Sequence, residues 1–302
     1  MALEHHDSRS VLSSRAALLR LLAGVVMISF SAVFVKLVAV PPTTSGLYRC
    51  LFGGLVLAAI VYLRGERPTA EPRALAMLLG AAALFALDLW VWHRSIVYVG
   101  PGLATLLGNF QVFILALAGV FLFGERLTWQ VVVSMPLALA GLSLIVGFEW
   151  SSLGSTYRLG VLFGLMTAVF YAGYLLSLRR ARAMAGAGTP SSDLAVVSLG
   201  TAALLAIAAP AGGESLAIPG WRDGLLLLAY GVVAQVLGWV LISGSLPRIP
   251  ASQVGLILLL QPLLAFVWDV LIFARRITLV EAAGAALALA AIYLGSRRSD
   301  LS

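Results

Sequence analysis

Pro101–Thr128, PGLATLLGNFQVFILALAGVFLFGERLT, lays onto Pro250–Thr278, PASQVGLILLLQPLLAFVWDVLIFARRIT. Each stretch opens on Pro, carries a Gln near its centre and closes on Arg, an aliphatic residue and Thr. Between those marks lies an apolar run of about 20 residues, the length that crosses the hydrocarbon core as a helix. Outward from this pair, Trp90 and Pro101 match Trp239 and Pro250 at one offset. Gln111, Arg126 and Thr128 match Gln261, Arg276 and Thr278 at an offset one residue longer, so a single insertion near the start of the fourth or ninth span reconciles the two. Gly24 and Ala32 match Gly164 and Ala172 more faintly. Apolar chains align easily by chance, so the Trp and Gln pairs carry the repeat.

Ten such runs fill the chain, over 18–40, 44–63, 73–97, 101–123, 128–147, 159–184, 193–212, 222–245, 250–273 and 278–296. Turn chemistry separates them, for example Pro41-Pro42, Gly100-Pro101-Gly102 and Pro219-Gly220. The expected fold is an all-α integral membrane protein of ten transmembrane helices. Residues 1–17 form an N-terminal tail, 18–148 the first five-helix repeat, 149–158 a linker, 159–296 the second repeat and 297–302 a C-terminal tail. Because five is odd, the second set enters the membrane with the opposite orientation. Inverted repeats of this kind mark many alternating-access carriers.

Composition excludes much else. Of 302 residues, 61% are hydrophobic and 11% charged, which leaves little material for a soluble domain. The net charge of +7 comes from short loops and not from a basic tract with interleaved aromatics, so no nucleic-acid partner is expected. One Cys and three His residues cannot assemble a zinc site, and no cofactor or metal is expected. His5 and His6 fall in the tail. The first span continues into Lys36 without a small-residue exit, which favours a retained helix over a cleaved signal peptide. With both termini cytoplasmic, thirteen of the 20 Lys and Arg residues fall on the inside, as the positive-inside rule requires. The lipid bilayer is the expected environment, and the oligomeric state is monomer or homodimer.

Three short motifs add a family. Tyr48-Arg49 opens the second span, Gly124-Glu125-Arg126-Leu127-Thr128 joins the fourth to the fifth, and Gln261-Pro262 lies in the ninth. In a five-plus-five architecture the chain resembles the ten-helix EamA-type members of the drug/metabolite transporter superfamily, across nearly its whole length. The resemblance implies carriage of a small organic solute, often export of amino acids or drug-like compounds, across a bacterial inner membrane. The chain departs from that pattern twice. Ala274-Arg275 stands where the family usually has a second Gly-Glu, and Gln111-Val112-Phe113 replaces a Pro in the fourth span.

Ionisable residues inside a bilayer cost several kcal/mol unless paired or hydrated, and so mark candidate sites. Asp88, Arg49, His93 and Arg94 are candidates for coupling or gating, with Asp88 or His93 titrating and Arg49 or Arg94 meeting a carboxylate. Proton coupling through Asp88 is one expectation and a structural ion pair the other. Lys36 and Arg49 could also snorkel, and Asp269 could pair with Arg275 or Arg276. Trp90, Asn109, Gln111, Tyr171, Tyr174, Gln235, Trp239 and Gln261 are candidates for substrate binding. Tyr171 and Tyr174 share a helix face, as do Gln235 and Trp239. The alternative for the amides is interhelical hydrogen bonding. Trp129, Trp150, Trp221 and Tyr293 sit at span ends and read as an interfacial belt.

Other motifs have ordinary roles. Gly160 and Gly164 form a small-xxx-small packing face, Thr278-x-x-Glu281 is a capping box, and Glu125 pairs with Arg126 or a neighbouring loop. The expected function is a secondary transporter of small organic metabolites, amino acids or related amphiphilic compounds, working by alternating access and exporting its substrate. Import of a different metabolite is the alternative direction. A membrane-embedded enzyme would need clustered catalytic acids or His at one face, and a scaffold would need a sizeable soluble part. Neither pattern is present, so no enzyme activity is expected.

Overall fold

The computed structural model describes residues 2–99, 101–146, 155–184, 186, 188–274 and 276–296. Residues 149–154 of the expected linker, Trp150, Arg275 and the tail 297–302 lie outside the described residues, as do the side chains of residues 1–14, His5 and His6 among them. In chain order the helices are α1 (Ala2–Ser29), α2 (Ser31–Leu37), α3 (Pro42–Leu63), α4 (Pro72–Val99), α5 (Pro101–Gly108), α6 (Gln111–Phe123), α7 (Trp129–Val146), α8 (Ser155–Ala183), α9 (Pro190–Ala211) and α10 (Trp221–Tyr230). A π-helical segment, Gly231–Gly238, leads into α11 (Trp239–Ser245) and a 3₁₀ turn, Leu246–Arg248. Then come α12 (Ala251–Leu258), α13 (Leu260–Phe273) and α14 (Leu279–Ser296). Among the described residues nine helical stretches are long and apolar enough to cross a bilayer, and a tenth apolar helix, Leu279–Gly295, is shorter. The first helix begins at Ala2, inside the stretch assigned to the tail.

Proline sets many of the starts. Pro42, Pro72, Pro101 and Pro190 each open a helix, where a missing N–H costs nothing. Thr189 caps α9 through Ser192 N–H at 3.1 Å. The capping box forms before α14: Thr278 N–H donates to Glu281 Oε2 at 2.8 Å, and Glu281 N–H to Thr278 Oγ1 at 3.2 Å.

Three spans are broken at a residue of similar geometry. Phe30 (φ −66°, ψ −10°) separates α1 from α2, Phe110 (φ −59°, ψ −11°) precedes α6, and Leu259 (φ −64°, ψ −13°) separates α12 from α13. Gly or Pro lies beside two of the breaks: Gly108 ends α5, and Pro262 follows Leu259. Pro262 lacks the N–H that Leu258 C=O would accept. At the fourth span the Asn109 amide donates to Thr105 C=O at 2.8 Å, competing with the backbone ladder. At the first, the Ser29 hydroxyl donates to Val26 C=O at 2.6 Å. Phe110 N–H and Leu259 N–H bond three residues back, to Leu107 and Leu256 C=O, a 3₁₀ step that recurs as a hinge inside helices; the three breaks lie on spans one, four and nine.

The halves interleave. Span two (α3) packs on span seven (α9), four on nine (α6 on α12), and five on ten (α7 on α14). Span three (α4) packs on six (α8), and span one on eight (α1 on α11 and the π segment). Exchanging the halves maps each pairing onto itself or onto another of the set. Small residues permit the close approaches: Ser95 Oγ donates to Gly160 C=O at 2.8 Å, and Gly141 and Gly284 bring α7 and α14 backbone to backbone. Trp129, Trp221 and Tyr293 are exposed, as an interfacial belt requires.

The second half differs at one turn. Gly124 ends α6 at φ 66°, and Ala274 ends α13 at φ 52°, the one positive-φ non-Gly residue among those described. A Cβ is disfavoured in that conformation. Ala274→Gly is therefore expected to stabilise the fold by up to about 1 kcal/mol, because relief of the turn outweighs the added freedom of the unfolded chain. The check is a higher unfolding temperature in detergent; a lower one would show the turn to be unstrained.

Candidate functional site

Two turns into α3, Arg49 is buried at 6% exposure in the middle of the bundle. Its Nε donates to Gln235 Oε1 at 3.0 Å and its Nη1 to Tyr230 Oη at 3.3 Å. Gln235 Nε2 in turn donates to Ser198 Oγ on α9 at 2.8 Å. The guanidinium also lies over two rings, Tyr230 at 5.3 Å and Phe85 at 5.6 Å from the centroids. Gln235 reaches Arg49 from the π-helical segment, whose widened turn is a local irregularity typical of functional sites. Gly53 makes the approach possible, since a Cβ there would stand 2.6 Å from Gln235 Cβ.

Among the described residues no carboxylate oxygen lies within the 4.0 Å of an ion pair with Arg49. Asp88, also 6% exposed, sits on α4 one turn beyond Phe85 and within electrostatic reach of Arg49, Tyr171 and Tyr174. A buried guanidinium and a buried carboxyl group therefore face the same region without forming an ion pair. An isolated buried guanidinium is costly, and the two hydrogen bonds and two rings offset only part of that cost.

Four rings from three spans pack beside this pair. Phe85 and Tyr174 stack at 4.5 Å, and Trp239 meets Tyr174 edge-on at 4.9 Å, Phe85 at 5.8 Å and Tyr171 at 6.2 Å. Tyr171 and Tyr174 lie 6.2 Å apart. Their polar tips are buried and unpartnered: Tyr171 Oη, Tyr174 Oη and Trp239 Nε1 complete no hydrogen bond among the described residues. The same holds for Gln111 Oε1 and Gln261 Nε2. Tyr171 approaches Gln261 without reaching hydrogen-bond geometry. Most buried polar groups in proteins find partners, so the orphans on Tyr171, Tyr174, Trp239 and Gln261 suit a polar ligand.

The structure thus brings Arg49, Asp88, Tyr171, Tyr174, Gln235, Trp239 and Gln261 together. Other candidates lie apart. Trp90 meets Phe163 edge-on at 6.4 Å and carries the Arg94 guanidinium over its ring at 5.1 Å, and Arg94 reaches Gly212 at the end of α9. Trp90 therefore does not share the ring cluster of Trp239. His93 is the exception: it is buried against Trp92 and against Gly46, which lies one turn before Arg49 on α3, and it is within electrostatic reach of Arg49 with Nδ1 unpartnered. Asn109 serves the break in span four, and Gln111 is buried close by. Asp269 takes Lys36 at 2.7 Å, a partner the sequence did not suggest. Glu125 pairs with Arg179 at 3.5 Å, not with its neighbour Arg126. Phe85, Ser198 and Tyr230 were not among the candidates. Phe85 has the one sequence signal, its place three residues before Asp88 on the same helix face.

A surface groove of about 570 Å³, lined by Tyr62, Glu66, Pro68 and Val196 among others, lies between α3 and α9 at the bundle edge. It touches none of the central polar residues and is not the candidate site.

Comparison with known proteins agrees with this architecture. The model of the EamA-like transporter family matches the chain twice, over residues 15–147 and 158–297. The "Uncharacterized inner membrane transporter YhbE" of Escherichia coli (strain K12) is 25% identical over 233 residues, covering 74% of this chain and 70% of that protein. The Shigella flexneri protein of the same name matches equally. A crystal structure described only as that of a protein superimposes with a TM-score of 0.81 at 21% identity, covering 93% of this chain and 96% of that one. That likeness concerns the fold.

Proposed function

The chain belongs to the EamA-like transporter family, and from that premise we propose that it exports small organic metabolites, amino acids or related amphiphilic compounds, across a bacterial inner membrane. One observation carries the substrate class: a buried guanidinium without a carboxylate partner, beside four aromatic rings and across from a buried carboxyl group. A carboxylate on the solute would take paired hydrogen bonds from Arg49, which Gln235 and Tyr230 hold in place. An ammonium group would face Asp88. An apolar or aromatic side chain would bury against Tyr171, Tyr174 and Trp239, whose unpartnered tips accept or donate to its polar atoms. This arrangement binds and releases; nothing in it supplies an activated nucleophile.

Transport would proceed by alternating access between two inverted halves, each matching the same family model, with the breaks at Phe30, Phe110 and Leu259 as hinges. Supporting the inversion is the exchange of helix pairings when the halves are swapped. Asp88 is the proposed proton-coupling group; Asp88→Asn should flatten the pH dependence of flux, and an unchanged profile would remove that role. The test of the function is efflux from liposomes loaded with pooled amino acids and nucleosides under imposed pH gradients. Flux of an amino acid is expected, and no flux of any solute from folded protein would overturn the proposal.

A further inference from the structure

Glu125 ties the first half of the chain to the second. It follows Gly124, whose left-handed backbone ends α6 and turns the chain back over the helix. Glu125 N–H closes on Gly119 C=O at 2.9 Å. Gly119 lacks a side chain where the carboxylate folds back, and a Cβ there would collide with it. The carboxylate then crosses between halves. Oε1 accepts from Ala251 N–H at 2.6 Å, and Oε2 accepts from Ser252 N–H at 3.2 Å and from the Ser252 hydroxyl at 3.0 Å. These are the first donors of α12, orphaned at a helix start and favourable to an anion.

Arg179, near the end of α8, completes the junction. Its Nη2 stands 3.5 Å from Glu125 Oε1, its Nη1 donates to Ile249 C=O at 3.0 Å, and it lies over the Phe123 ring at 4.2 Å. The turn after span four is thereby clamped between the end of span six and the start of span nine. Those two spans also supply Tyr171, Tyr174 and Gln261 to the central cluster. Immediately behind the clamp, Leu115, Leu175, Arg179, Ala251 and Val254 line a cavity of about 10 Å³, space for about one water molecule.

We propose that the Glu125 carboxylate is the latch of the gate at this end of the bundle: the central site opens here only when Glu125 leaves the start of α12. The latch rests on the alternating-access reading and gives the Gly124-Glu125 motif a function. The matching turn in the second half holds Arg275, which offers no acid. The opposite end is held from another loop: Glu214 accepts from Thr44 N–H at 3.0 Å and from the Thr43 hydroxyl at 2.7 Å at the start of α3, and Lys36 meets Asp269 at 2.7 Å.

The test places a reporter, Val254→Cys, in a Cys50→Ser chain and measures labelling by a membrane-impermeant maleimide in sealed vesicles of each orientation. Glu125→Ala should raise the labelling rate from one face by roughly tenfold, the scale of a lost charge-assisted cap. Gly119→Ala, which displaces the carboxylate without removing it, should raise it in the same direction. A merely structural role would instead raise labelling from both faces. Equal gains from both faces, or no gain, would overturn the latch. Flux measured on the same preparations separates the two ideas. A reporter chain that moves no solute yet shows the one-sided gain removes the carrier and keeps the latch. One that transports without the one-sided gain removes the latch alone.

Discussion

Arg49→Met should lower transport by roughly a hundredfold or more while leaving the chain folded. Two charge-assisted hydrogen bonds to a carboxylate contribute about 1.5–3 kcal/mol each, so their loss amounts to at least about 3 kcal/mol, and each 1.4 kcal/mol is a factor of ten. The effect on stability should be small, because two terms oppose: desolvation of the ion is no longer required, while Gln235 Oε1 loses its donor. Gln235→Leu provides the contrast. It leaves Arg49 Nε without its 3.0 Å acceptor and frees Ser198 Oγ, so it should destabilise by roughly 1–3 kcal/mol. Flux and unfolding temperature measured on both variants separate the roles. Equal loss of stability in Arg49→Met would show that the guanidinium holds the fold together.

Trp239→Ala should be the most destabilising single truncation in the centre, at about 3–5 kcal/mol. The side chain is 1% exposed and touches the rings of Phe85, Tyr171 and Tyr174, so its removal leaves a hole that three spans would have to collapse into. Trp239→Phe keeps one ring of the indole and removes the other together with Nε1–H, which has no partner among the described residues. Its cost should lie below that of the alanine variant, at about 1–3 kcal/mol. Weakened solute binding in that conservative variant would identify Nε1–H as a ligand donor. Full binding would assign Trp239 to packing. Thermal unfolding and solute binding of the two variants together decide between these roles.

The spans were legible because a bilayer imposes a length and an apolar composition that few other environments demand. Their ends were legible where Pro and Gly mark them, as at Pro42, Pro190 and Gly124. The breaks inside spans were not. Asn109 and Ser29 bend their helices through side-chain hydrogen bonds to the preceding turn, and in a sequence such residues look like polar residues facing a cavity. The π-helical turn was hidden for a related reason: Gly231–Gly238 has the apolar content of any buried helix, and only the packing of Gly53 against Gln235 reveals why it widens.

Most of the site was visible as residue types, and its geometry was not. Tyr171, Tyr174, Gln235 and Trp239 stand out as polar or aromatic residues away from span ends. Arg49 belongs with them because span two is drawn against the π segment, a contact between residues 186 apart in the chain. Trp90 shares a sequence position with Trp239 in the repeat and yet sits against Phe163 and Arg94. Repeat symmetry locates a helix more surely than it orients a side chain. Glu125 shows the same limit, since its partners at Ala251 and Ser252 are 126 and 127 residues away and nothing local announces them.

The central claim is that transported solutes bind at Arg49. Solute-induced stabilisation in detergent tests it most directly, comparing the unfolding temperature with and without a transported amino acid for the parent chain and for Arg49→Met. The parent should gain stability in a concentration-dependent way, as any ligand confined to the folded state requires, and Arg49→Met should gain none. An equal gain in both would place the solute elsewhere and contradict the account.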